Sequence, residues 1–437
     1  MTWTIGDVSG SETLADTDHL YPSHINEVRV YLGSLNSKTE TLSNKTITAP
    51  VINGAITGDA ISTGTTVNTG TANDEIVTPK AIADSYLSNV YNSLYRQALI
   101  NGNFDVWQRG TSTTSLASYD LADRWEMNVT LDGGTLPTTI TRSRQALTPG
   151  DIFGAFYYYR FAPDGAGSGF GTGYKYGLGQ KIEYGTRFLC GASKSITVSF
   201  WARSSVGSKK VGLFLTQNYG TTGSPTAEEN IAGDNFTLTS SWQKFTKTIT
   251  TNTLVGKTFG TDGNDYLRPV FLLAWGTGTY ATLVNSAGVA ENLANGTIDI
   301  AQVQLCAGDV ALPFVPKSFE DELRACQRYY EKSYDYANAP GTATVTGSYM
   351  FNSGTNNNNY RQVAVQFSVK KRITAPTVTL YDMLGTSGKI ATVDEGTSET
   401  NNVTDSADNP SQGNFLVSNN TAAEAGLRFH WTADAEL

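Results

Sequence analysis

The sequence predicts a mainly β protein with an N-terminal coiled coil, an extended shaft, a β-sandwich and a smaller β-domain that contains one helix. The first observation is composition: 16% of the residues are charged, 11% are aromatic, and there are 43 glycines. Turn-forming residues and flat apolar surfaces favour strands over helical bundles. The second is strand-like alternation after residue 98, and the third is a short apolar seam near the N-terminus. The 437 residues suffice for two or three domains.

The seam lies in residues 22–43, where apolar side chains recur at alternating spacings of three and four. This spacing is typical of a coiled coil, and Pro22 suits the first helical turn. Because the segment holds only about three heptads, an amphipathic helix within one chain explains it as well. The predicted seam residues are Ile25, Val28, Leu32, Leu35, Thr39 and Leu42.

Residues 44–97 are the predicted shaft. Between 44 and 73 the segment is rich in Thr, Gly and Asn, and its isolated Ile and Val residues cannot build a core within one chain. It is either a disordered linker or a stalk in which identical chains share their sparse apolar residues. A preceding coiled coil favours the stalk, because chains that are already joined lose less entropy when they pair again.

Two pieces of this region carry a family resemblance. TLSNKTITAPVINGAIT (41–57) and TANDEIVTPKAIADSYL (71–87) resemble shaft segments of bacteriophage tail fibres. The resemblance implies an intertwined homotrimer that is assembled in the host cytoplasm and located on the virion. It also implies that residues 1–21 attach to other virion proteins, while the C-terminal part binds the host cell surface.

Residues 98–316 predict one β-sandwich. In 195–204 the residues Ile196, Val198, Phe200 and Ala202 alternate with polar or larger neighbours, and 298–308 continues the pattern with a change of register near Ala301. The opening ALINGNFDVWQRGTS (98–112) resembles the first strand of jelly-roll modules in phage tail proteins and, more distantly, of carbohydrate-binding modules. The resemblance implies a jelly roll. The glycine-rich stretch 165–179 predicts a loop.

Residues 317–437 predict a helix followed by strands. Ser318 is the expected helix N-cap, with Asp321 three residues later and an apolar face formed by Phe319, Leu323, Cys326 and Tyr330. The segment 322–334 resembles one that follows such jelly rolls in phage tail proteins. Alternation in 361–373 and 427–437 predicts strands of a second, smaller β-domain.

Charge and segment composition argue against two kinds of partner. The net charge is −9 and the longest basic cluster is Lys370-Lys371-Arg372, so nucleic acid is not an expected partner. No apolar run approaches the roughly 20 residues that cross a bilayer, and the start MTWTIGDVSGS lacks the features of a secretion signal. We therefore expect no membrane insertion.

Metal and cofactor chemistry is not expected either. The three histidines lack metal-ligand spacing, and the sequence contains no nucleotide-binding or serine-nucleophile motif. The three cysteines lie far apart, which fits neither a disulfide framework nor a CxxC site. We interpret them as small buried apolar residues; they are Cys190, Cys306 and Cys326.

Aromatic side chains are the most promising binding chemistry, since a flat ring packs on a sugar while polar neighbours contact its hydroxyls. The predicted glycan-contact residues are Trp201, Arg203, Tyr219, Trp275 and Tyr280. For Trp201, burial against a neighbouring subunit is the competing interpretation. Trp107, Trp125 and Trp242 are expected to fill the sandwich core.

The resulting hypothesis is a non-enzymatic phage tail fibre that adheres to host glycans. One alternative is a head or neck fibre, or a capsid decoration, that binds no receptor. The other is a polysaccharide depolymerase, which needs two carboxylates about 5 to 10 Å apart. Its candidate carboxylates, scattered without a shared motif, are Glu183, Asp262, Asp265 and Asp299.

Overall fold

The computed structural model describes residues 93–437 except 118, 120, 121, 353–360, 394–398 and 420–425. All described residues belong to one compact unit. The attachment segment at 1–21, the coiled coil at 22–43 with its seam, and the shaft up to residue 92 lie outside the described residues. Those predictions, and the boundaries of the predicted domains, stay predictions.

The described part is mainly β, as the composition predicts. Its four helices are α1 (Ser93–Arg96), α2 (Gly185–Leu189), α3 (Thr279–Leu283) and α4 (Phe319–Gln327). The first twelve strands are β1 (Ser112–Thr113), β2 (Glu126–Thr130), β3 (Ile140–Ala146), β4 (Tyr157–Pro163), β5 (Lys175–Gly179), β6 (Ile182–Glu183), β7 (Ser195–Ser204), β8 (Lys210–Asn218), β9 (Glu229–Thr237), β10 (Gln243–Thr250), β11 (Tyr266–Trp275) and β12 (Ile298–Ala307).

The remaining strands follow helix α4. They are β13 (Tyr330–Lys332), β14 (Tyr349–Asn352), β15 (Arg361–Gln366), β16 (Thr377–Tyr381), β17 (Lys389–Val393), β18 (Glu399–Thr404), β19 (Ala407–Asp408), β20 (Asn414–Asn419) and β21 (Gly426–Asp434). The glycine-rich stretch 165–179 is only partly a loop, because its last five residues form β5.

Strands β1 to β12 form two antiparallel sheets that enclose the largest core. The first sheet has the order β1-β3-β4-β12-β7-β10, and the second has β2-β5-β11-β8-β9 with β6 beside β11. The chain crosses repeatedly between the sheets, as it does in a jelly roll. Phe200 and Ile300 from the first sheet share this core with Leu213 and Phe271 from the second.

The predicted alternation of β7 is confirmed on its inner side. Ile196, Val198, Phe200 and Ala202 all lie in the core between the sheets. The predicted change of register in β12 is also confirmed, since a β-bulge interrupts its pairing with β7 between Ala301 and Gln304. A bulge places two residues opposite one and re-aims the side chains that follow.

Strands β13 to β21 form a second pair of sheets around a separate core. One sheet has the order β13-β21-β17-β18, with β14 and β16 also beside β21, and the other has β15-β20-β19. Val363 and Phe415 meet Leu380 and Phe429 between them. The strands predicted in 361–373 and 427–437 are present as β15 and β21. Val363 and Val365 of β15 lie in the core, but β21 departs from simple alternation because His430 and Thr432 are buried as well as Phe429 and Trp431.

Helix α4 begins as predicted, because the Ser318 side chain accepts a hydrogen bond from the backbone N–H of Asp321. The helix ends at Gln327, so Tyr330, predicted on its apolar face, lies instead in β13. Phe319 is also not buried on that face and is nearly half exposed. The three cysteines are free and buried, in agreement with the sequence interpretation.

Buried charges join the second pair of sheets to the first pair. Arg124, which precedes β2, forms an ion pair with Glu436 at the end of the chain, and Arg109 contacts the same carboxylate at 3.4 Å. The guanidinium of Arg124 lies 3.5 Å from the ring centre of Tyr329. These contacts position the C-terminal strands against the jelly roll.

Candidate functional site

A small aromatic cluster lies on the outer side of the first sheet, away from the main core. Tyr158 from β4 meets the Trp242 ring edge-on, with ring centres 5.2 Å apart. Tyr158 is buried in a small cluster with Leu147 and Ile152, and Trp201 from β7 packs against that cluster together with Trp242. Both tryptophans are only partly buried. The sheet therefore presents aromatic surface on its outer side.

Two arginines and one aspartate border these rings. Asp299 of β12 pairs with Arg160 on one neighbouring strand and with Arg203 on the other. Arg160 donates through Nε at 2.7 Å and Nη2 at 2.9 Å, and Arg203 donates through Nε at 2.9 Å. The hydrogen bonds to Asp299 raise the pKa of Arg160 above its ordinary value. We call the six residues the aromatic face: Tyr158, Arg160, Trp201, Arg203, Trp242 and Asp299.

The rings and the guanidinium groups hold one another in place. Arg203 lies over the Trp242 ring at 4.6 Å and near the Tyr158 ring at 5.4 Å. Such cation–π contacts contribute about 0.5–1 kcal/mol each at exposed sites. The Tyr158 hydroxyl accepts a hydrogen bond from Arg160 at 2.9 Å. The side chains are therefore ordered before any ligand arrives, which lowers the entropy lost on binding.

The hairpin loop between β3 and β4 borders the aromatic face. In the bulge of β12, Gln302 has a φ of 47°, and its side chain donates to the Phe153 carbonyl at 2.8 Å. The Asn103 amide holds the carbonyl of Gly154 at 2.9 Å. These bonds fix the loop, yet the Phe153 side chain is 96% exposed and that of Phe156 is 74% exposed. The loop adds two further aromatic rings to this side of the sheet.

The five predicted glycan-contact residues do not form one site. Trp201 and Arg203 lie together on the aromatic face. Trp275 and Tyr280 belong to a different cluster, on the outer side of the second sheet. Tyr219 directly follows β8 of that sheet. The prediction therefore holds two members of the aromatic face and three residues elsewhere.

The structure corrects the expectation for Trp275 and Tyr219, because both are fully buried. Helix α3 covers the outer side of the second sheet, and the Trp275 indole donates to the Val289 carbonyl at 3.1 Å. The Tyr219 hydroxyl donates to Glu229 at 2.7 Å. Tyr280 is half-buried beside Phe214 and Lys175. Neither buried ring offers a face to a sugar.

The three tryptophans expected in the core divide differently. Trp107 and Trp125 are buried in the core between the sheets. Trp242 lies in the aromatic face instead, and its Nε1 is shielded from solvent without a protein acceptor among the described residues. Trp242 therefore contributes its ring rather than its N–H group.

The four carboxylates of the depolymerase hypothesis are held by neighbouring groups. Asp299 forms ion pairs with the two arginines of the aromatic face, and Asp265 pairs with Arg187 at 2.8 Å. Burial opposes ionisation of Glu183, but hydrogen bonds from Arg328 and Tyr329 bring its pKa below the ordinary value. Asp262 accepts hydrogen bonds from a turn at Thr221 and Thr222. These carboxylates have structural partners in the fold.

None of the helices in the described residues has the length and apolarity needed to span a bilayer. Within the same part of the chain, no three His, Cys, Asp or Glu side chains gather in an arrangement that would hold a metal ion.

Comparisons with known proteins give structural likenesses only. No protein-family model and no curated protein matches the chain. A structure described as CBM4 is 17% identical, with 48% of this chain and 98% of that chain covered and a TM-score of 0.26. TmCBM61 in complex with β-1,4-galactotriose is 12% identical, with 49% and 99% covered and a TM-score of 0.25.

The N-terminal cellulose-binding domain of Cellulomonas fimi β-1,4-glucanase C is 13% identical, with 46% of this chain and 97% of that chain covered and a TM-score of 0.25. Because these TM-scores are low, the fold is assigned from the strand order and register of this chain.

The sequence alone does not identify several members of the aromatic face as binding residues. It indicates Asp299 only as a possible catalytic carboxylate and Trp242 only as a core residue, and it does not distinguish Tyr158 and Arg160 from their neighbours. The alternation in YYYRFAP places Tyr158 and Arg160 on one side of a strand. It does not show that this strand and β7 both pair with β12, which is what brings the residues together.

Proposed function

We propose that this chain is a non-catalytic glycan-binding protein of a bacteriophage fibre, and that the aromatic face is its binding surface. One observation carries the glycan-binding part: two partly exposed tryptophan rings, Trp201 and Trp242, pack against the buried Tyr158 on the outer side of a sheet, next to fixed hydrogen-bond donors. Sugars present apolar C–H faces and rings of hydroxyls, so this combination suits them. The resemblance of residues 41–57 and 71–87 to tail-fibre shafts supports the phage part.

Stacking energies set the expected strength of one such site. An aromatic contact contributes about 0.5–1.5 kcal/mol beyond the area it buries, and a hydrogen bond to a charged donor contributes roughly 1.5–3 kcal/mol. A few contacts of this size give binding in the millimolar to micromolar range once the cost of association is included. Three copies on one trimeric stalk would raise the apparent affinity through effective concentration.

The test compares two aromatic substitutions in the full chain. Trp201→Ala removes a ring from the aromatic face, whereas Tyr280→Ala removes a half-buried ring from the outer side of the second sheet. On an array of bacterial surface polysaccharides, we expect Trp201→Ala to lose at least tenfold in binding and Tyr280→Ala to stay within twofold of the unaltered protein. Circular dichroism checks that both variants fold. Equal loss in the two variants would contradict the assignment of the site.

We also propose that the protein adheres without cleaving its ligand. The purified chain in excess should then block adsorption of the parent phage and leave the polysaccharide unchanged in length after long incubation. Shortening of the polymer that is abolished by Glu183→Gln, Asp262→Asn or Asp265→Asn would establish the depolymerase alternative. If the chain neither blocks adsorption nor binds cells, the non-receptor structural alternative is favoured.

A further inference from the structure

The charge of the aromatic face differs in sign from that of the whole chain. Arg160 and Arg203 converge on the single carboxylate of Asp299. Two guanidinium groups against one carboxylate leave a local charge of plus one, although the chain as a whole carries −9. This positive charge lies beside exposed aromatic surface.

Strand register adds a third cation to the same surface. Lys244 of β10 pairs directly with Trp201, so the two side chains lie on the same side of the sheet, and Lys244 is exposed. Directly opposed side chains in an antiparallel pair are about 5 Å apart at Cβ. The nearest acidic residues along β4, Asp151 and Asp164, lie in the loops before and after that strand. The strand positions around the rings are therefore net positive.

Asp299 does not use all the donors of the two arginines. Among the described residues, the Nη1 groups of Arg160 and Arg203 have no hydrogen-bond partner, and each arginine side chain is 28% exposed. Because Asp299 and the rings fix the orientation of both guanidinium groups, their free N–H groups are also held in fixed positions. A planar guanidinium matches the two oxygens of a carboxylate.

We propose that the aromatic face selects glycans whose sugars carry a carboxylate, with the sugar ring against Trp201 and the carboxylate at the free N–H groups of Arg160 and Arg203. Lys244 adds longer-range attraction. This proposal rests on the proposed glycan-binding function and names its ligand class. A neutral glycan would leave the charged donors with only hydroxyl acceptors, which form weaker hydrogen bonds than a carboxylate.

The experiment uses the full chain and an array of carboxylate-bearing bacterial polysaccharides. Each polymer is printed beside a derivative whose carboxylates have been reduced to alcohols, so the sugar backbone is shared. We expect at least tenfold tighter binding to the acidic members. The advantage should shrink severalfold between 0.05 and 0.5 M NaCl, since the screening length for exposed charges falls from roughly 14 Å to roughly 4 Å over this range.

Charge variants separate this preference from simple sugar binding. Arg203→Gln should lose about tenfold on the acidic polymers. Because Arg203 also packs on the Trp242 ring, binding to the reduced partners should weaken as well, but severalfold less than binding to the acidic polymers. Lys244→Gln, which changes only an exposed residue, should lose a few fold on acidic polymers alone. Its control is Lys194→Gln, an exposed lysine just before β7 and about 23 Å along the strand from Trp201.

The outcomes distinguish the two proposals. If the reduced polymers bind as tightly as the acidic ones, and if Lys244→Gln behaves like Lys194→Gln, the carboxylate preference is wrong while glycan binding stands. If the unaltered chain retains no polymer of either kind, the proposed function itself is wrong, and the preference falls with it.

Discussion

The buried ion pairs at the end of the chain provide the sharpest energetic prediction. In the pair of Arg124 with Glu436 the side chains are 1% and 4% exposed, and Arg109, 10% exposed, reaches the same carboxylate at 3.4 Å. Glu436→Gln removes the negative charge and leaves two buried guanidinium groups with less compensation. Breaking a buried pair in this way costs about 3–5 kcal/mol. We expect about 3 kcal/mol, because the amide oxygen still accepts one hydrogen bond.

A matched control exists on helix α4. Glu320 pairs with Arg324 at 3.3 Å, but the Glu320 side chain is 68% exposed and the Arg324 side chain is 67% exposed. An exposed pair of this spacing contributes about 0.3–0.5 kcal/mol. Glu320→Gln therefore makes the same chemical change with about a tenth of the effect.

Amide hydrogen exchange, read by mass spectrometry, measures local opening without requiring two-state unfolding. Strand β21 leads directly into Glu436, so its amides report on the docked end of the chain. A loss of about 3 kcal/mol corresponds to roughly 100-fold faster exchange in β21, whereas the control should change it less than about threefold. If Glu436→Gln exchanges no faster than Glu320→Gln, the buried pairs do not hold the C-terminal strands in place and the reasoning fails.

Three further predictions concern pH, a helix cap and thiol access. Burial raises the pKa of Asp105 from 3.8 to about 6, so ionisation of Asp105 destabilises the fold as pH rises through that interval. Asp105→Asn should therefore increase the free energy of unfolding, measured by urea titration, by up to about 3 kcal/mol above pH 6 and leave it unchanged below pH 4. A pH-independent gain would show that burial of the charge is not the cause. Ser318→Ala should lower the stability of helix α4 by about 1 kcal/mol and speed amide hydrogen exchange in its first turn. Ser318→Asp, which keeps a capping oxygen, should do neither. Burial raises the pKa values of the three cysteine thiols, so iodoacetamide should label them only in denaturant; rapid labelling of the native protein would contradict their placement.

Local patterns in the sequence determined several elements of the fold. The inward side of β7, the bulge in β12, the Ser318 cap and the buried thiols all depend on neighbouring residues or on side-chain size, so a single chain segment contains the needed information. The same is true of the mainly β composition. The seam at 22–43 is a local pattern too, and it lies outside the described residues.

Local patterns failed where another segment decides what covers a side chain. Trp201 and Trp275 both lie on the outer sides of sheets, yet only Trp275 has a helix packed over it. Alternation indicates on which side of a strand a residue lies. It does not indicate whether a segment distant in sequence packs over that side. Exposure of an aromatic residue is therefore a tertiary property.

The sequence by itself determined that this protein is mainly β, and it predicted aromatic residues as the binding chemistry. Only the tertiary structure decided which aromatic residues meet. Residue 158 and residue 299 are far apart in the chain, and their proximity depends on the order β4-β12-β7 within one sheet. Strand order and register depend on how much apolar surface the two sheets bury together across the whole core. No single segment therefore contains the information that places the residues of the aromatic face side by side.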